Sequence, residues 1–590
     1  MIGRSPIGYV VRIDGAEITL NVLDHHRGMV AGHSHGVSMV AEIGSLLGID
    51  AGDRLLLLRV RSISFAEPNE VHRRSMGKSS LSAEPLRHVV GIVVGKLTRK
   101  TGELEFVPDS LSTPALGAMV YPLVSDEEMT VLGRDENVPT SIHLGNELRS
   151  GAPVHVDIQS LISKHVAVLG SSGQGKSCFT AAILQQIVKL PGSRTVIFDI
   201  NGEYEQAFSE NVGPGWVKIT KLGQDGLKIP YFALGRHGLQ RLLMPSEKTQ
   251  RPALMFALES LNRVKWIDAG SGVGIKTDTI PFLFDDCRSG NATQAQQRIS
   301  ALQDKTATEV SVWPPMKALG PLVAESYSLA NGRNGWERNA FQYGNVAPLV
   351  NRIHRFVEDP MFSAVVDTDG TSRTAPLDWR RESTDLVAAI FGDENSDWRV
   401  HIVDLRCVAH DLMPFILGSL LELFAFEIFE RGQDKKVPTL LVLEEAHHYL
   451  RPVGVGEGET GSSLAYERLA KEGRKFGLAL WLSTQRPSEI SQTVLSQCGN
   501  WVSFRLASER DLAAVQASSE WADRRDVKRI SGLARQNAVA FGESLRMPVS
   551  FVAPTASPTP KSSDAPFDEW ASPVLGVGVT GADSQEGNRG

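Results

Sequence analysis

Cysteine is scarce in this chain: four in 590 residues, at Cys178, Cys287, Cys407 and Cys498, with no C-x-x-C spacing among them. That argues against a disulfide framework and against zinc ribbons, and it fits a reducing cytoplasm. Long apolar runs free of charge are missing too. The most apolar long stretch, 412–429, carries Glu422 and Glu427, so a buried helix is expected there and not a membrane span. The opening residues, Met1-Ile2-Gly3-Arg4-Ser5-Pro6, carry no signal-peptide core. Positive charge is not in excess, since 61 Lys and Arg against 68 Asp and Glu leave a net charge of −7. Contact with nucleic acid would therefore need a local basic surface, such as loops lining a pore. With 42% hydrophobic residues over 590 positions, the chain is too long for one core, and two to four domains are expected.

What the chain does have is Gly170-Ser171-Ser172-Gly173-Gln174-Gly175-Lys176-Ser177, which reads G-x-x-x-x-G-K-S between an apolar run at 165–169 and a helix-like run at 178–189. Glycines at these positions let backbone N–H groups turn inward around a triphosphate, and the following helix aims its positive end at the same charge. The pattern predicts a bound ATP or GTP, with Lys176 reaching the β/γ-phosphates and Ser177 on Mg2+.

Short glycine-punctuated strands at 7–13, 17–22, 54–60 and 88–95 suggest a small β-barrel over residues 1–140. His25, His26, His33 and His35 sit close together there, as a metal cluster or as a histidine-rich loop; no carboxylate or cysteine is interleaved. From about residue 141 the pattern becomes that of a parallel sheet, with candidate strands at 165–169, 195–200, 400–405, 439–443, 478–483 and 501–506. An α/β ATPase core is therefore expected in two pieces, 141–230 and 398–552. Helix-like stretches at 252–264, 293–304 and 350–357 suggest an inserted helical subdomain at 231–397. Residues 553–590 turn to Pro, Ser, Thr and Gly and read as an extended tail, in which Phe567 and Trp570 could dock on a neighbour.

The run Thr439-Leu440-Leu441-Val442-Leu443-Glu444-Glu445 is a buried strand ending in two carboxylates, a Walker B arrangement. By position Glu444 serves the metal and Glu445 polarises the attacking water. Asp199 and Glu203 follow a second strand, and Gln485 follows a third, where it is placed to meet the γ-phosphate or the water. Each of these is equally the pattern of an ordinary polar strand end. A charged helix at 466–477 closes on Gly477 and offers Arg474, or failing it Arg468, as an arginine finger for a neighbouring subunit.

Taken together, the P-loop, Asp-Ile-Asn-Gly-Glu-Tyr from Asp199, Leu-Glu-Glu-Ala-His from Leu443, Glu-Gly-Arg-Lys-Phe-Gly from Glu472 and Ser-Thr-Gln-Arg-Pro from Ser483 resemble the HerA family of FtsK/HerA-superfamily ATPases. A lead-in, His143-Leu144-Gly145, and an N-terminal barrel like the family's HAS-barrel extend the resemblance over roughly residues 1–552. It implies a RecA-like core, a hexameric ring and ATP-driven translocation on double-stranded DNA, in company with a nuclease or another effector enzyme. It also implies that Lys176, Asp199, Glu444, Glu445, Gln485 and a trans Arg474 serve the ATP site.

The chain departs from the common P-loop pattern in carrying Glu, not Asp, at Glu444, and its loop at 454–461 is glycine-rich and acidic, a poor contact for a DNA backbone. Arg352, Arg355, Lys471 and Lys475 are the basic candidates for a ring interior. A second reading is a ring-shaped scaffold that activates an effector, such as a nuclease or a sirtuin-type NADase of a phage-defence system, without processive translocation.

Overall fold

Alternating apolar and polar residues in the first 122 positions give strands that close on themselves in the computed structural model of the chain. It describes residues 4–23, 30–33, 36–39, 42–65, 87–100, 103–109, 111–132, 138–210, 212–223, 226–260, 265–269, 272–276, 281–283, 315–332, 335–369, 379–434, 437–451, 465–520 and 524–561. His25, His26 and His35, the stretch 293–304, the loop 454–461, and Phe567 with Trp570 lie outside the described residues.

The first sheet comprises β1 (Gly8–Asp14), β2 (Glu17–Val22), β3 (Leu46–Asp50), β4 (Arg54–Phe65), β5 (Arg87–Lys100), β6 (Glu103–Pro108) and β7 (Met119–Pro122). Antiparallel pairing runs β2-β1-β7-β3-β4-β5, and β5 returns to β2. The result is a closed six-stranded barrel, with β6 added to the outside of β5. Closure leaves no free edge around the ring.

Four consecutive leucines in β4 tie the barrel to the rest of the chain. A strand with one covered face buries every second residue, yet Leu55, Leu56, Leu57 and Leu58 are all buried. Leu56 and Leu58 face the barrel interior with Val10, Leu20, Ile49 and Val93. Leu55 and Leu57 join Leu97 and Phe106 in a different cluster, which also holds Val166, Val168 and Phe179 around the P-loop strand.

The second sheet has eleven strands: β8 (Ser141–Glu147), β9 (Pro153–Asp157), β10 (Val166–Leu169), β11 (Thr195–Asp199), β12 (Val217–Lys221), β13 (Val400–Asp404), β14 (Thr439–Leu443), β15 (Leu478–Thr484), β16 (Asn500–Ser503), β17 (Asn537–Gly542) and β18 (Val549–Val552). Their order is β9-β8-β18-β17-β16-β10-β15-β14-β11-β13-β12. From β16 to β12 every pairing is parallel, and β17, β18, β8 and β9 continue it antiparallel. All six strands expected from the apolar runs are present, with ends at most three residues from those expected. Gly145 in the lead-in is needed where β8 meets β18: its φ is 143°, and a Cβ there would lie 2.2 Å from the Val552 carbonyl oxygen.

The connections between these strands carry, among other helices, α1 (Lys176–Ile187), α2 (Tyr204–Ala207), α3 (Met413–Arg431) and α4 (Ala465–Glu472). The apolar stretch at 412–429 is the buried helix expected, with Ile416, Leu417, Leu420, Leu421 and Phe424 all packed inside. Among the described residues no helix is long and apolar enough to cross a membrane. Between β12 and β13 the described helices include Gln250–Ser260 and Ala340–Glu358, whose buried residues share one apolar cluster with α3 and with Phe198, Leu441 and Leu443 of the sheet. After β18 the chain lies along α1. Ala556 is buried and its amide donates to Cys178 Sγ, Gln185 bonds Ser557 and Pro558, and the Lys561 amide donates to the Glu203 carbonyl at 2.9 Å.

Candidate active site

Strand order decides which loops meet. In a parallel sheet the carboxyl ends gather the ligand-binding loops, and β15 lies between the P-loop strand β10 and the carboxylate strand β14. Gln485, just past β15, therefore emerges between the P-loop and the Glu444–Glu445 pair.

All four residues of β10 are buried, and the chain leaves it at Gly170 with φ 155°. A Cβ at Gly170 would stand 2.6 Å from Phe504 Cβ, so only glycine turns there. Gly173 and Gly175 also hold positive φ, 70° and 110°. The loop is braced from outside: the Gly170 amide donates to Thr484 O (3.3 Å), the Ser171 amide to Arg505 O (2.9 Å) and the Gln536 amide to Gln174 O (3.1 Å). Among the described residues the amides of Gly173, Gln174, Gly175, Lys176 and Ser177 donate to no protein acceptor. Unpaired N–H groups at the start of a twelve-residue helix suit an anion. Lys176 is only 6% exposed and its Nζ donates to Ser171 O at 3.3 Å. Burial lowers its pKa, while the charges of Glu445, Glu444 and Glu203 oppose that shift.

The five buried residues of β14 deliver the carboxylates. Glu445 adopts the left-handed conformation, φ 44°, which a residue bearing a Cβ holds only at a cost of about 1 kcal/mol or more. Burial raises its pKa, against the pull of Lys176 and of the Gln485 amide. Among the described residues its Oε2 is buried without a hydrogen-bond partner. His447 Nδ1 is 3.2 Å away but is engaged with Thr484 Oγ1 at 3.1 Å, and burial lowers the His447 pKa to about 4, so that ring is neutral. A buried carboxylate oxygen left without a partner among the described residues, at the same sheet edge as a loop of unpaired amides, fits a hydrated Mg2+-nucleotide. Glu444 is fully enclosed; burial pushes its pKa up to about 7 against the hydroxyl of Tyr204, which donates to Oε1.

Of the other expected residues, Asp199 is buried and both its oxygens are taken by backbone: Oδ1 accepts from the Gly202 (2.8 Å) and Glu203 (3.1 Å) amides, Oδ2 from Tyr204 (2.9 Å). It thus shapes the turn at this edge, with three backbone amides donating to its carboxylate. Glu203 is half-buried in that turn and acts on Lys176 electrostatically. Gln485 Oε1 accepts from Ser172 Oγ at 2.6 Å, which links β15 to the P-loop. Arg474 is not with them. It is exposed in a short turn, Gly473–Phe476, before β15, at the opposite edge of the sheet, in a cleft of about 260 Å3 with Lys164, Lys471 and Glu543. Arg468 is tied down, its guanidinium 4.0 Å over the Phe429 ring and 3.4 Å from Glu472. Arg352 is spent on the Leu243 and Met244 carbonyls, while Arg355, Lys471 and Lys475 are exposed.

Sequence reasoning missed Tyr204, Phe504, Gln536 and His447. Tyr204 stood inside a recognised motif, but its partner lies 240 positions away. His447 likewise closed the Leu-Glu-Glu-Ala-His motif without being given a role, while Phe504 and Gln536 carried no pattern of their own.

Residues 142–311 match the family model described as "Helicase HerA, central domain". The chain is 24% identical over 466 residues to the DNA double-strand break repair helicase HerA of Pyrococcus furiosus, covering 73% of this chain and 72% of that protein. It is 22% identical over 446 residues to the helicase of the same name from Saccharolobus solfataricus, covering 75% and 72%. Among solved structures, VirB4 of Thermoanaerobacter pseudethanolicus aligns with a TM-score of 0.44 at 18% identity, covering 73% of this chain and 99% of that one.

Proposed function

The chain belongs to the HerA family of FtsK/HerA-type P-loop ATPases and hydrolyses ATP, and on that premise we propose that it is a hexameric, ATP-driven translocase on double-stranded DNA that works with a nuclease or another effector enzyme. The relatives whose names speak of DNA double-strand break repair support the substrate. The observation that carries the nucleotide reading is the convergence of Lys176, five unpaired amides and the unpartnered Oε2 of Glu445 at one edge of the sheet.

In this reading Gly170 to Ser177 cradle the triphosphate, and Ser177 with Glu444 holds Mg2+. The metal, when bound, neutralises charge on the β- and γ-phosphates. Glu445 orients and deprotonates the attacking water, with the charge of Lys176 acting on its carboxylate. Gln485, bonded to Ser172, is placed to meet the γ-phosphate or the water. Asp199 and Glu203 act from the neighbouring turn, Asp199 through the amides it holds. Arg474 lies one strand length from Gln485; β15 has seven residues, about 23 Å at 3.3 Å per residue. It therefore serves a neighbouring subunit's nucleotide. The helices between β12 and β13 form an inserted subdomain, the chain beyond residue 553 is a tail, and the protein acts in the cytoplasm in DNA processing or phage defence.

Steady-state ATP turnover with and without duplex DNA tests this, at rising salt and with and without the effector. A translocase gains turnover from DNA and loses that gain as salt rises, because phosphate contacts release counterions. Turnover that ignores DNA at low salt but responds to the effector establishes the scaffold instead.

A further inference from the structure

Strands β11 and β14 are neighbours in register, Phe198 beside Leu443, so Asp199 and Glu444 leave the sheet side by side, both buried. Two adjacent buried carboxylates repel each other and lose their water, so each needs donors. Asp199 satisfies itself with the three amides of Gly202, Glu203 and Tyr204. Folding the turn around Asp199 starts α2 and plants the Tyr204 ring, 1% exposed, beneath it. From there the Tyr204 hydroxyl reaches back to Oε1 of Glu444, while the Tyr449 hydroxyl donates to the Glu444 carbonyl at 3.1 Å. Glu444 is thus fixed at both backbone and side chain, and one of its two carboxylate oxygens is committed to a phenol.

A phenol is a costly choice for plain packing. Phenylalanine fills the same space without a buried hydroxyl to satisfy. Tyrosine is warranted where the carboxylate's direction matters, because a hydrogen bond fixes orientation and an apolar contact does not.

We infer that Tyr204 is a positioning residue for ATP hydrolysis: its hydroxyl holds one oxygen of Glu444 so that the other is aimed at the magnesium shell, and the turn after β11 thereby sets the geometry of the carboxylate pair on β14. This rests on Glu444 serving the metal, as proposed above.

The test compares Tyr204→Phe, Glu444→Gln and the double variant in the full-length chain. Two readouts are taken: steady-state turnover, and Mg2+-dependent binding of a non-hydrolysable ATP analogue, which needs no catalysis. Tyr204→Phe is expected to lower kcat about 10-fold while the KM for ATP moves less than about 3-fold. The Mg2+ concentration that half-saturates analogue binding should rise about 3- to 10-fold, with affinity at saturating Mg2+ unchanged. The double variant should be no worse than Glu444→Gln alone, since both act through one carboxylate. A merely structural tyrosine would lower the melting midpoint and leave the Mg2+ requirement where it was; that result overturns the proposal, as does a Tyr204→Phe loss that adds in full to the Glu444→Gln loss. Wild-type turnover and Mg2+ dependence in Glu444→Gln would sink the metal assignment itself, whatever Tyr204 does. Should Tyr204→Phe fail to fold, 3-fluorotyrosine at position 204 keeps the shape and strengthens the donor. A shifted Mg2+ midpoint then supports the inference, and an unmoved one overturns it.

Discussion

The seven parallel strands of the core sheet finish in two edges that share the same strands and differ in how their polar groups are settled. At the amino edge the buried polar side chains nearest the P-loop strand are paired. His165 is buried with φ 53°, but its Nδ1 accepts from the Leu480 amide at 3.0 Å, which leaves Nε2–H to donate to Ala470 O at 2.8 Å. Asn500 beside it donates to the Ser160 and Leu161 carbonyls and accepts from the Ser544 amide. At the carboxyl edge the amides of Gly173 to Ser177 and Glu445 Oε2 have no protein partner among the described residues. Both edges hold a residue in the left-handed region, and among the described residues Ser193 Oγ at the amino edge also lacks a partner; only the carboxyl edge joins a strained residue whose own carboxylate oxygen is unmet to a run of unpaired amides. Backbone strain alone therefore does not mark the functional end of this sheet, whereas strain combined with unpaired donors and acceptors does.

Substitutions can break that contrast, and the largest effect belongs to Lys176→Ala. It removes the buried cation of the carboxyl edge and should abolish nucleotide binding or cut turnover by about 10^3-fold or more, read by analogue binding and steady-state hydrolysis. Next comes Arg474→Ala at the other edge, expected to cost about 10^3-fold in turnover while sparing ATP binding. Mixing it with Lys176→Ala subunits, once subunit exchange is shown with tags, should restore part of the activity. Wild-type turnover in Arg474→Ala would end its assignment and pass the role to Arg468. Glu445→Gln should lower turnover about 100-fold and trap bound ATP, because the P-loop is intact and only the base is lost. An undiminished rate would move the base to Glu444 or Glu203.

The smallest effect sharpens the comparison at the amino edge. Burial lowers the His165 pKa to about 4, from 6.5 for a free histidine. The unfolded chain therefore takes up a proton as pH falls below 6.5 and the folded chain does not, so stability is present above 6.5 and is lost down to about pH 4. Between pH 7 and 5 this group accounts for about 2 kcal/mol. His165→Gln should show a correspondingly smaller drop in melting midpoint over that range; an identical drop would mean that His165 is accessible to protons in the fold.

How much of this was legible in the sequence depends on where the information sits. The P-loop and the six apolar strands are contiguous and were readable, because burial on both faces writes an unbroken hydrophobic run. β12 was not: Val-Lys-Ile-Thr-Lys is an edge strand whose residues are all half-buried or exposed. β8, β9, β17 and β18 extend the sheet antiparallel, and nothing in their short segments says which neighbour they join. In the barrel, β3, β6 and β7 were unread for the same reason. Residue identity named Asp199 for the site; only the turn geometry shows its oxygens engaged by three backbone amides, and only the β11–β14 register brings Tyr204 under Glu444.

The leucines of β4 carry a last implication, for modularity. Because Leu55 and Leu57 face away from the barrel and into the apolar cluster around β10, the barrel's outer wall is also a wall of the ATPase. A chain cut to begin near residue 141 would bare that wall to water and be expected to aggregate. Grafting another protein's barrel onto this core would succeed only if the graft brought matching residues at positions 55, 57, 97 and 106. The two parts are therefore constrained to change together, as two sides of one seam.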